Sequence, residues 1–181
     1  AAGVKKEDIT LVFALGSHRK HTEEEMRKLA GEQAFNEIRC VDSDAEDFVL
    51  LGTTTAGTPV EITRIVAEAD RRICLGNIEF HYFAGYSGGA KAIMPGVSPP
   101  AAIQSNHRMM VSQDACAGKL QGNPLREDIE DAGNICGIHY DSLELLLNCR
   151  ILKFDEQLLE FTPRVEWPNH YTSNGGVALL E

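Results

Sequence analysis

The segment from Gly85 to Lys91 (GYSGGAK) combines small residues with a lysine, a composition that suits anion binding next to a nucleophile. Successive small residues let backbone N–H groups approach an anion closely, above all at the start of a helix. A nucleotide-binding P-loop has Gly before its lysine and Ser or Thr after it, whereas Ala90 and Ala92 flank Lys91 here. The segment therefore does not predict a nucleoside-triphosphate site. Two interpretations stay open: an anion cradle, or a tight turn that needs glycine.

Lys91 also has two interpretations. A single lysine is usually solvated at the surface. An amine withdrawn from water has a lowered pKa, however, and can attack a carbonyl-type carbon. The adjoining glycines favour the second interpretation.

Four histidines have positions of interest. His18 follows the first apolar run, where open α/β sheets place their ligands. His81 opens the glycine-rich segment among aromatic residues, a setting more often typical of a structural core histidine. His107 falls near the end of a predicted helix, where the helix dipole alone favours a positive imidazole. His21 forms an HxxH pair with His18, but no third ligand lies nearby in the sequence, so we predict no zinc site and assign His21 to the approach to the next helix.

The elements that must position these residues alternate between strands and helices. Residues 9–15 (ITLVFAL) are continuously apolar and β-rich, which predicts a strand covered on both faces. Thr22 and Glu25 form a capping box and predict a helix. The apolar residues of that helix lie on one side: Met26, Leu29, Ala30 and Ala34. Further strands are predicted at residues 37–41, 48–51 and 72–75.

Residues 53–59 are rich in turn formers and have two interpretations. They can close a hairpin between strands at residues 48–51 and 60–62. Alternatively, Thr58 caps a helix that has Pro59 at its first position and Glu61 completing a capping box. Either way, residues 65–69 are predicted to be helical.

This alternation on short loops predicts an α/β fold with a Rossmann-like, largely parallel sheet and flanking helices. Residues 76–98 are predicted to form a long functional Gly-rich loop, because loops of that length in compact domains tend to be functional. A helix is predicted from residue 98 to about 109, and a second begins at Asn123-Pro124. The second carries one apolar stripe: Leu125, Ile129, Ala132 and Cys136.

Composition excludes several classes of protein. The chain has 181 residues and a formal net charge of −10, which argues against binding to nucleic acid or to an anionic membrane. No apolar run approaches the ~20 residues that span a bilayer. The five cysteines are scattered and form no CxxC pair, so we expect a reducing, cytoplasmic setting without disulfides or structural zinc. The first residue is not Met, and we expect the chain to be a piece of a longer protein.

Five groups of residues carry a resemblance to a known family. They are GSHRKHT (16–22), GTPVEI (57–62), EFHYFAGYSGGAKAIMPGVS (79–98), His107 sixteen residues after Lys91, and GNPLREDIEDA (122–132). Together they are similar to the nickel-pincer lactate racemase family, over residues from about 9 to 148. The ten-residue spacing from His81 to Lys91, with AGYSGGA between them, is the most specific part.

The resemblance implies a cofactor and a role for each candidate residue. The cofactor is a nickel-pincer nucleotide, a pyridinium-3-thioamide-5-thiocarboxylic acid mononucleotide that carries nickel. The family lysine falls on Lys91 and forms a thioamide with the cofactor, and the nickel-binding histidine falls on His107, in a planar site of the kind that suits Ni(II). The two acid/base histidines fall on His18 and His81. We expect the intervening loop residues to line the cofactor: Tyr86, Ser87, Gly88 and Gly89.

The implied reaction is racemisation or epimerisation of a small 2-hydroxy acid, with lactate as the default substrate. The α-hydrogen of such an acid is too weakly acidic for direct removal by imidazole. The resemblance implies that this hydrogen moves to the pincer ring as a hydride and returns to the other face, while one histidine takes the hydroxyl proton and the second returns it. Histidine suits both roles near neutral pH, the cofactor supplies the electronics and the protein supplies the geometry.

The chain also departs from the family. We expect residues 1–150 to form the catalytic α/β domain and residues 151–181 to form a divergent tail, with the C-terminal partner domain of the family absent. The expected partners are the substrate, that domain and the cofactor-biosynthesis proteins. Without the second domain, the active site lacks one wall and the fragment should have little activity. The alternative is a truncated, non-catalytic homologue that binds cofactor or nucleotide, or is only a folded remnant.

Overall fold

In the computed structural model, which describes residues 4–141, 153–154, 157–158 and 176–180, short helices and strands surround one apolar core. The strands are β1 (Ile9–Phe13), β2 (Arg39–Asp42), β3 (Phe48–Thr53), β4 (Pro59–Thr63), β5 (Arg71–Leu75), β6 (Phe80–His81), β7 (Gly85–Tyr86), β8 (Tyr140–Asp141), β9 (Lys153–Phe154), β10 (Gln157–Leu158) and β11 (Gly176–Leu180). The α-helices are α1 (Glu23–Ala30), α2 (Glu32–Glu37), α3 (Arg64–Ala67), α4 (Pro100–His107) and α5 (Pro124–Cys136). Short 3-10 helices cover Lys6–Asp8, Gly89–Ala92 and Arg108–Val111. None of the helices in this described part of the chain is long and apolar enough to cross a membrane.

The main sheet has the strand order β2-β1-β11-β5-β8 and is mixed. The pairs β1–β2 and β5–β8 are parallel, but β11 runs antiparallel to both β1 and β5. The α/β class is therefore confirmed, whereas the expected largely parallel, Rossmann-like sheet is not. An apolar run such as β1 reports that a strand is covered on both faces, but it does not encode the direction of its neighbours.

Several local predictions meet the structure closely. Thr22 and Glu25 form the predicted capping box of α1, and residues 48–53 pair with residues 59–63 as an antiparallel hairpin. The alternative of a helix starting at Pro59 is therefore wrong. The hairpin is closed by Gly57, whose N–H donates to the Thr54 carbonyl (2.9 Å).

Two element boundaries differ from the prediction. The first helix ends at Gly31, whose φ of +81° separates α1 from α2. Because α2 continues to Glu37, β2 begins only at Arg39 rather than at residue 37. The domain boundary predicted at residues 150–151 lies outside the described residues. Of the predicted tail, only β9, β10 and β11 are described.

Helix α5 begins where the sequence predicts and packs against the glycine-rich segment that comes earlier in the sequence. The Asn123 side chain accepts a hydrogen bond from the Arg126 N–H, Pro124 occupies the first turn, and Gly137 ends the helix in the left-handed conformation. A methyl group on Gly133 would lie 2.8 Å from the Ala90 Cβ. Helix α5 is thus in direct contact with the 3-10 helix Gly89–Ala92.

The predicted long loop, residues 76–98, is a compact structure. Strands β6 and β7 form a small antiparallel hairpin, and the 3-10 helix follows. Gly85 sits at the tightest point: its carbonyl accepts the Gly118 N–H (3.0 Å), and a Cβ there would lie 2.1 Å from the Lys119 carbonyl oxygen. Backbone therefore packs directly on backbone where the glycine-rich segment begins.

Gly85 and Gly57 offer a matched test of this close approach. Both have positive φ (+78° and +88°), but a Cβ on Gly57 would meet nothing within 4 Å. We expect Gly57→Ala to lower the free energy of unfolding by roughly 1–2 kcal/mol, the cost of left-handed backbone. Gly85→Ala should lose roughly 1–3 kcal/mol more, because the backbone must also move. Urea unfolding measures both, and equal losses would contradict the packing argument.

Candidate functional site

Two of the candidate histidines contact the same phenyl ring. The imidazole of His81 lies 4.5 Å from the Phe83 ring, centroid to centroid, and that of His107 lies 5.2 Å from it. Both contacts are edge-to-face, at 78° and 72°. Tyr82 stacks on His81 at 5.0 Å. The hairpin and the end of α4 thus bring His81 and His107 into one aromatic cluster.

The first turn of α5 fixes this cluster through two buried polar side chains. Asn123 donates its Nδ2 hydrogens to the carbonyls of Phe83 (2.9 Å) and Lys119 (3.1 Å). Arg126, only 1% exposed, donates from Nη1 to the Tyr86 carbonyl (2.9 Å) and from Nε to Glu130 (2.6 Å). The start of α5 therefore holds the backbone shortly before β7, at Phe83, and at the last residue of β7, Tyr86.

Lys91 lies near the same cluster and is largely withdrawn from water. Burial and, after it, the positive charge of the nearby Arg126 guanidinium lower the pKa of Lys91 to about 8. Among the described residues, the Lys91 ammonium has no hydrogen bond or ion pair with a protein group. The amine is consequently poised to be neutral close to physiological pH, the form that acts as a nucleophile.

The two histidines are held neutral by the same surroundings. Burial, followed by the charges of Lys91, His107 and Arg126, lowers the pKa of His81 to about 4. Burial and the charge of Lys91 also lower the pKa of His107. These mutual effects place His81, Lys91, His107 and Arg126 within electrostatic reach of one another.

Hydrogen bonds assign opposite tautomers to the two imidazoles. The Ala84 N–H donates to Nδ1 of His81 (3.2 Å), so neutral His81 carries its proton on Nε2. Nδ1 of His107 lies 3.1 Å from Oδ1 of Asn106, an acceptor, so neutral His107 carries its proton on Nδ1 and a lone pair on Nε2. His81 thus presents a donor and His107 presents a ligand nitrogen.

His18 is placed in a different concavity. It lines a cavity of about 330 Å³ together with Arg19, Asp44, Thr63 and Ser98. The cavity lies where β1, β2 and β4 end, the edge predicted for ligands. The structure therefore brings together His81, Lys91 and His107, while His18 faces a neighbouring space.

The two regions are joined by main-chain hydrogen bonds. The Gly16 N–H donates to the Gly96 carbonyl (2.7 Å), and the Gly96 N–H donates to the Lys91 carbonyl (3.1 Å). Gly96 has no room for a side chain, since a Cβ would lie 2.2 Å from the Ala92 carbonyl oxygen. The loop that carries His18 is thus anchored to the turn that carries Lys91.

The loop residues expected to line a cofactor differ in what they contact. The Ser87 hydroxyl donates to the Asn77 carbonyl (2.7 Å) and accepts the Glu79 N–H (2.8 Å), so it fastens the hairpin. The Tyr86 ring packs on Phe80 at 5.2 Å. Gly88 and Gly89 both have positive φ and lead into the 3-10 helix.

Sequence reasoning missed the polar support of the cluster: Asn106, Asn123, Arg126 and Asp128. One signal was present in the sequence. Asp128 is three residues after Leu125 and four before Ala132, so it falls on the apolar stripe of α5. A carboxylate at a buried helical position must be hydrogen-bonded, which marks it as part of a network.

The donor groups of the cluster fit a bound anion that also carries a metal. The Arg126 Nη2 is buried and, apart from its ion pair with Glu130, has no hydrogen-bond partner among the described residues. The described part of the chain contains no group of three or more His, Cys, Asp or Glu that could hold a metal by itself. Within the described residues, His107 is a candidate for one nitrogen ligand to such a metal.

Comparisons with known proteins all find lactate racemases. A family model described as the lactate racemase N-terminal domain matches residues 1–118. Lactate racemase from Thermoanaerobacterium thermosaccharolyticum is 35% identical over 130 residues, covering 69% of this chain and 30% of that protein. Lactate racemase from Lactiplantibacillus plantarum is 35% identical over 126 residues, covering 67% of this chain and 30% of that protein. The chain therefore spans about 30% of the length of the curated relatives it matches.

Solved structures show the same relation. The lactate racemase apoprotein from Thermoanaerobacterium thermosaccharolyticum superimposes with a TM-score of 0.68 at 34% identity, covering 71% of this chain and 32% of that chain. A protein from Thermotoga maritima superimposes with a TM-score of 0.55 at 21% identity, covering 68% of this chain and 34% of that chain. The second likeness concerns the fold alone.

Burial of Lys91 predicts an unusual reactivity profile. Competitive acetylation across a pH series, read by peptide mass spectrometry, should give half-maximal reactivity of Lys91 near pH 8, because its pKa is lowered to about 8. Lys119 is the control, since its ion pair with Asp114 raises its pKa. A Lys91 profile that matches that of Lys119 would contradict the burial of the amine.

The positive charge of Lys91 should also affect the pKa of His81. Because that charge lowers the pKa of His81, Lys91→Met should move the pKa of His81 upward from about 4 in an NMR titration of its ring protons. Lys119→Met removes a lysine whose charge has no part in this effect, and should leave His81 unchanged. An unchanged His81 pKa in Lys91→Met would place Lys91 outside electrostatic reach.

Proposed function

The chain belongs to the lactate racemase family through its N-terminal domain, and we propose that it forms the part of a 2-hydroxy-acid racemase or epimerase that holds a nickel-pincer nucleotide. Lactate is the default substrate. The observation that carries this proposal is the partly buried cluster in which the Lys91 amine, with a pKa of about 8, lies near His107, whose Nε2 bears a lone pair. One side chain suits covalent attachment and the other suits metal ligation.

In this proposal each residue of the cluster has one task toward the cofactor. Lys91 would carry the covalent thioamide link, and His107 would offer its Nε2 to nickel. The buried Arg126 and the backbone of Gly88 and Gly89 face its anionic portion. When bound, the cofactor would supply the nickel centre and a hydride acceptor, chemistry that amino-acid side chains lack.

Attachment at Lys91 also changes the charge of the site. A lysine nitrogen joined to a thioacyl carbon is no longer basic, so the Lys91 charge that lowers the pKa of His81 disappears. A substrate carboxylate adds negative charge and raises the pKa of His81 further. His81 is therefore brought toward the neutral range, where imidazole exchanges a proton most effectively.

We assign the substrate's hydroxyl proton to His18 and His81. In its present arrangement His81 offers the Nε2 hydrogen, because Nδ1 accepts the Ala84 N–H. It is thus set to donate to a substrate oxygen, and it must give up the Ala84 bond to accept a proton at Nε2. His18, at the carboxyl edge of the sheet, is the base for the other enantiomer.

Partners follow from the length of the chain. It spans about 30% of the curated relatives, so we propose that a C-terminal domain of the same kind as theirs completes the site. We further propose that cofactor-biosynthesis proteins in the cytoplasm load Lys91.

The test is covalent loading. The chain is co-produced with nickel-pincer biosynthesis enzymes and examined by intact mass, peptide mapping and nickel analysis. We expect a nucleotide-sized adduct on Lys91 and about one nickel per chain. Lys91→Ala should lose the adduct, and His107→Ala should keep the adduct and lose nickel.

Lys119→Ala is the matched control and should load normally. A full-length lactate racemase loaded in parallel establishes that the biosynthesis enzymes are active. An unmodified Lys91 under those conditions would contradict the proposal and leave a folded homologue without cofactor.

A further inference from the structure

A continuous network of hydrogen bonds, mostly buried, runs from the β3–β4 hairpin to His107. Its members are Thr58, Thr54, Asp128, Asn106 and His107. The Thr58 N–H donates to Thr54 Oγ1 (2.9 Å), and the Thr54 hydroxyl donates to Oδ1 of Asp128. Asn106 Nδ2 donates to Oδ2 of Asp128 (2.7 Å). The first four members are each less than 5% exposed.

In each hydrogen bond of this network, the donor and the acceptor are fixed by the neighbouring bonds. The Thr54 oxygen already accepts an N–H, so its own proton is available to Asp128. Asn106 faces two pure acceptors on one side, the Asp128 carboxylate and the Leu125 carbonyl (3.2 Å), which fixes its NH₂ group there. The Asn106 carbonyl oxygen must then face Nδ1 of His107, 3.1 Å away.

We infer that Asn106, held by Asp128, is a positioning residue that fixes His107 in the Nδ1–H tautomer and leaves its Nε2 as a permanent lone-pair donor. Phe83 restrains the same ring from another direction, in edge-to-face contact at 5.2 Å. A metal-binding imidazole needs this arrangement, because the nitrogen that binds is set by the hydrogen bond of the other nitrogen. The use of Nε2 for nickel rests on the proposed function, whereas the tautomer does not.

The wild-type chain already provides a test. In ¹⁵N-histidine-labelled chain without cofactor, long-range ¹H–¹⁵N spectra distinguish protonated from unprotonated ring nitrogens. Resonances are assigned by comparison with His107→Asn and His81→Asn. We expect Nδ1–H for His107 and the opposite tautomer, Nε2–H, for His81 in the same spectrum. An Nε2–H form of His107 would overturn the inference without any variant of the network.

Variants test the cause of the tautomer. Asn106→Leu keeps the size of the side chain and removes the acceptor, so His107 should shift to a mixture of tautomers or to Nε2–H while His81 keeps its own. The double variant Asn106→Asp with Asp128→Asn restores an acceptor toward His107 and a donor at position 128, although it loses the hydrogen bond from position 106 to the Leu125 carbonyl. It should return His107 to Nδ1–H. The unchanged His81 signal verifies that each variant is folded.

Persistence of the Nδ1–H tautomer in Asn106→Leu, with His81 unchanged, would overturn the role of Asn106. In the loaded chain, nickel retention should fall at least tenfold in Asn106→Leu and recover in the double variant. Suppose that wild-type His107 is in the Nδ1–H form and that Asn106→Leu changes this tautomer, but the protein treated with the biosynthesis enzymes holds no nickel. The proposed function then fails and the positioning role of Asn106 stands. The two failures are therefore distinguishable.

Discussion

The candidate site depends on the requirement that buried polar groups find hydrogen-bond partners. Helix α5 buries Asn123, Arg126 and Asp128 in its first two turns, where each would be destabilising if left without partners. Some of their partners lie in α5 itself, namely Glu130 and the Arg126 N–H. The others lie outside the helix and include the carbonyls of Phe83 and Tyr86 and the side chain of Asn106. Satisfying one helix thus fixes the backbone of the hairpin and the orientation of the last turn of α4, and with them His81 and His107.

Local sequence patterns predicted individual helices and strands well, but they did not predict how distant strands pair. The Thr22–Glu25 capping box and the start of α5 at Asn123-Pro124 follow from short-range chemistry that the sequence displays directly. The mixed sheet does not, because strand β11 enters from far along the chain and no local pattern records its direction. Lys91 and His107 were identified from motif and resemblance. Their surroundings were not, because a polar residue on an apolar stripe indicates burial without naming its partner.

The electrostatics of the cluster contrast with those of the whole protein. The chain carries a net charge of −10, yet Lys91, Arg126 and two histidines share one partly buried region. Nearly all acidic residues whose burial is described are at least partly exposed, so water screens them, whereas the cluster is partly desolvated and its charges act more strongly on one another. The pKa values of Lys91 and both histidines are lowered as a result. A negatively charged ligand would therefore be bound favourably in this region, because it would offset the repulsion among these cationic groups.

The junction at Gly96 has a consequence for how such a protein can diversify. The loop of His18 and the turn of Lys91 are joined by main-chain hydrogen bonds, and Gly96 excludes any side chain from the contact. Substitutions in the side chains that line the neighbouring cavity, such as Arg19 and Asp44, can therefore accumulate without changing the spacing of the two loops. The architecture separates side chains that are free to vary from a backbone junction that must keep its geometry.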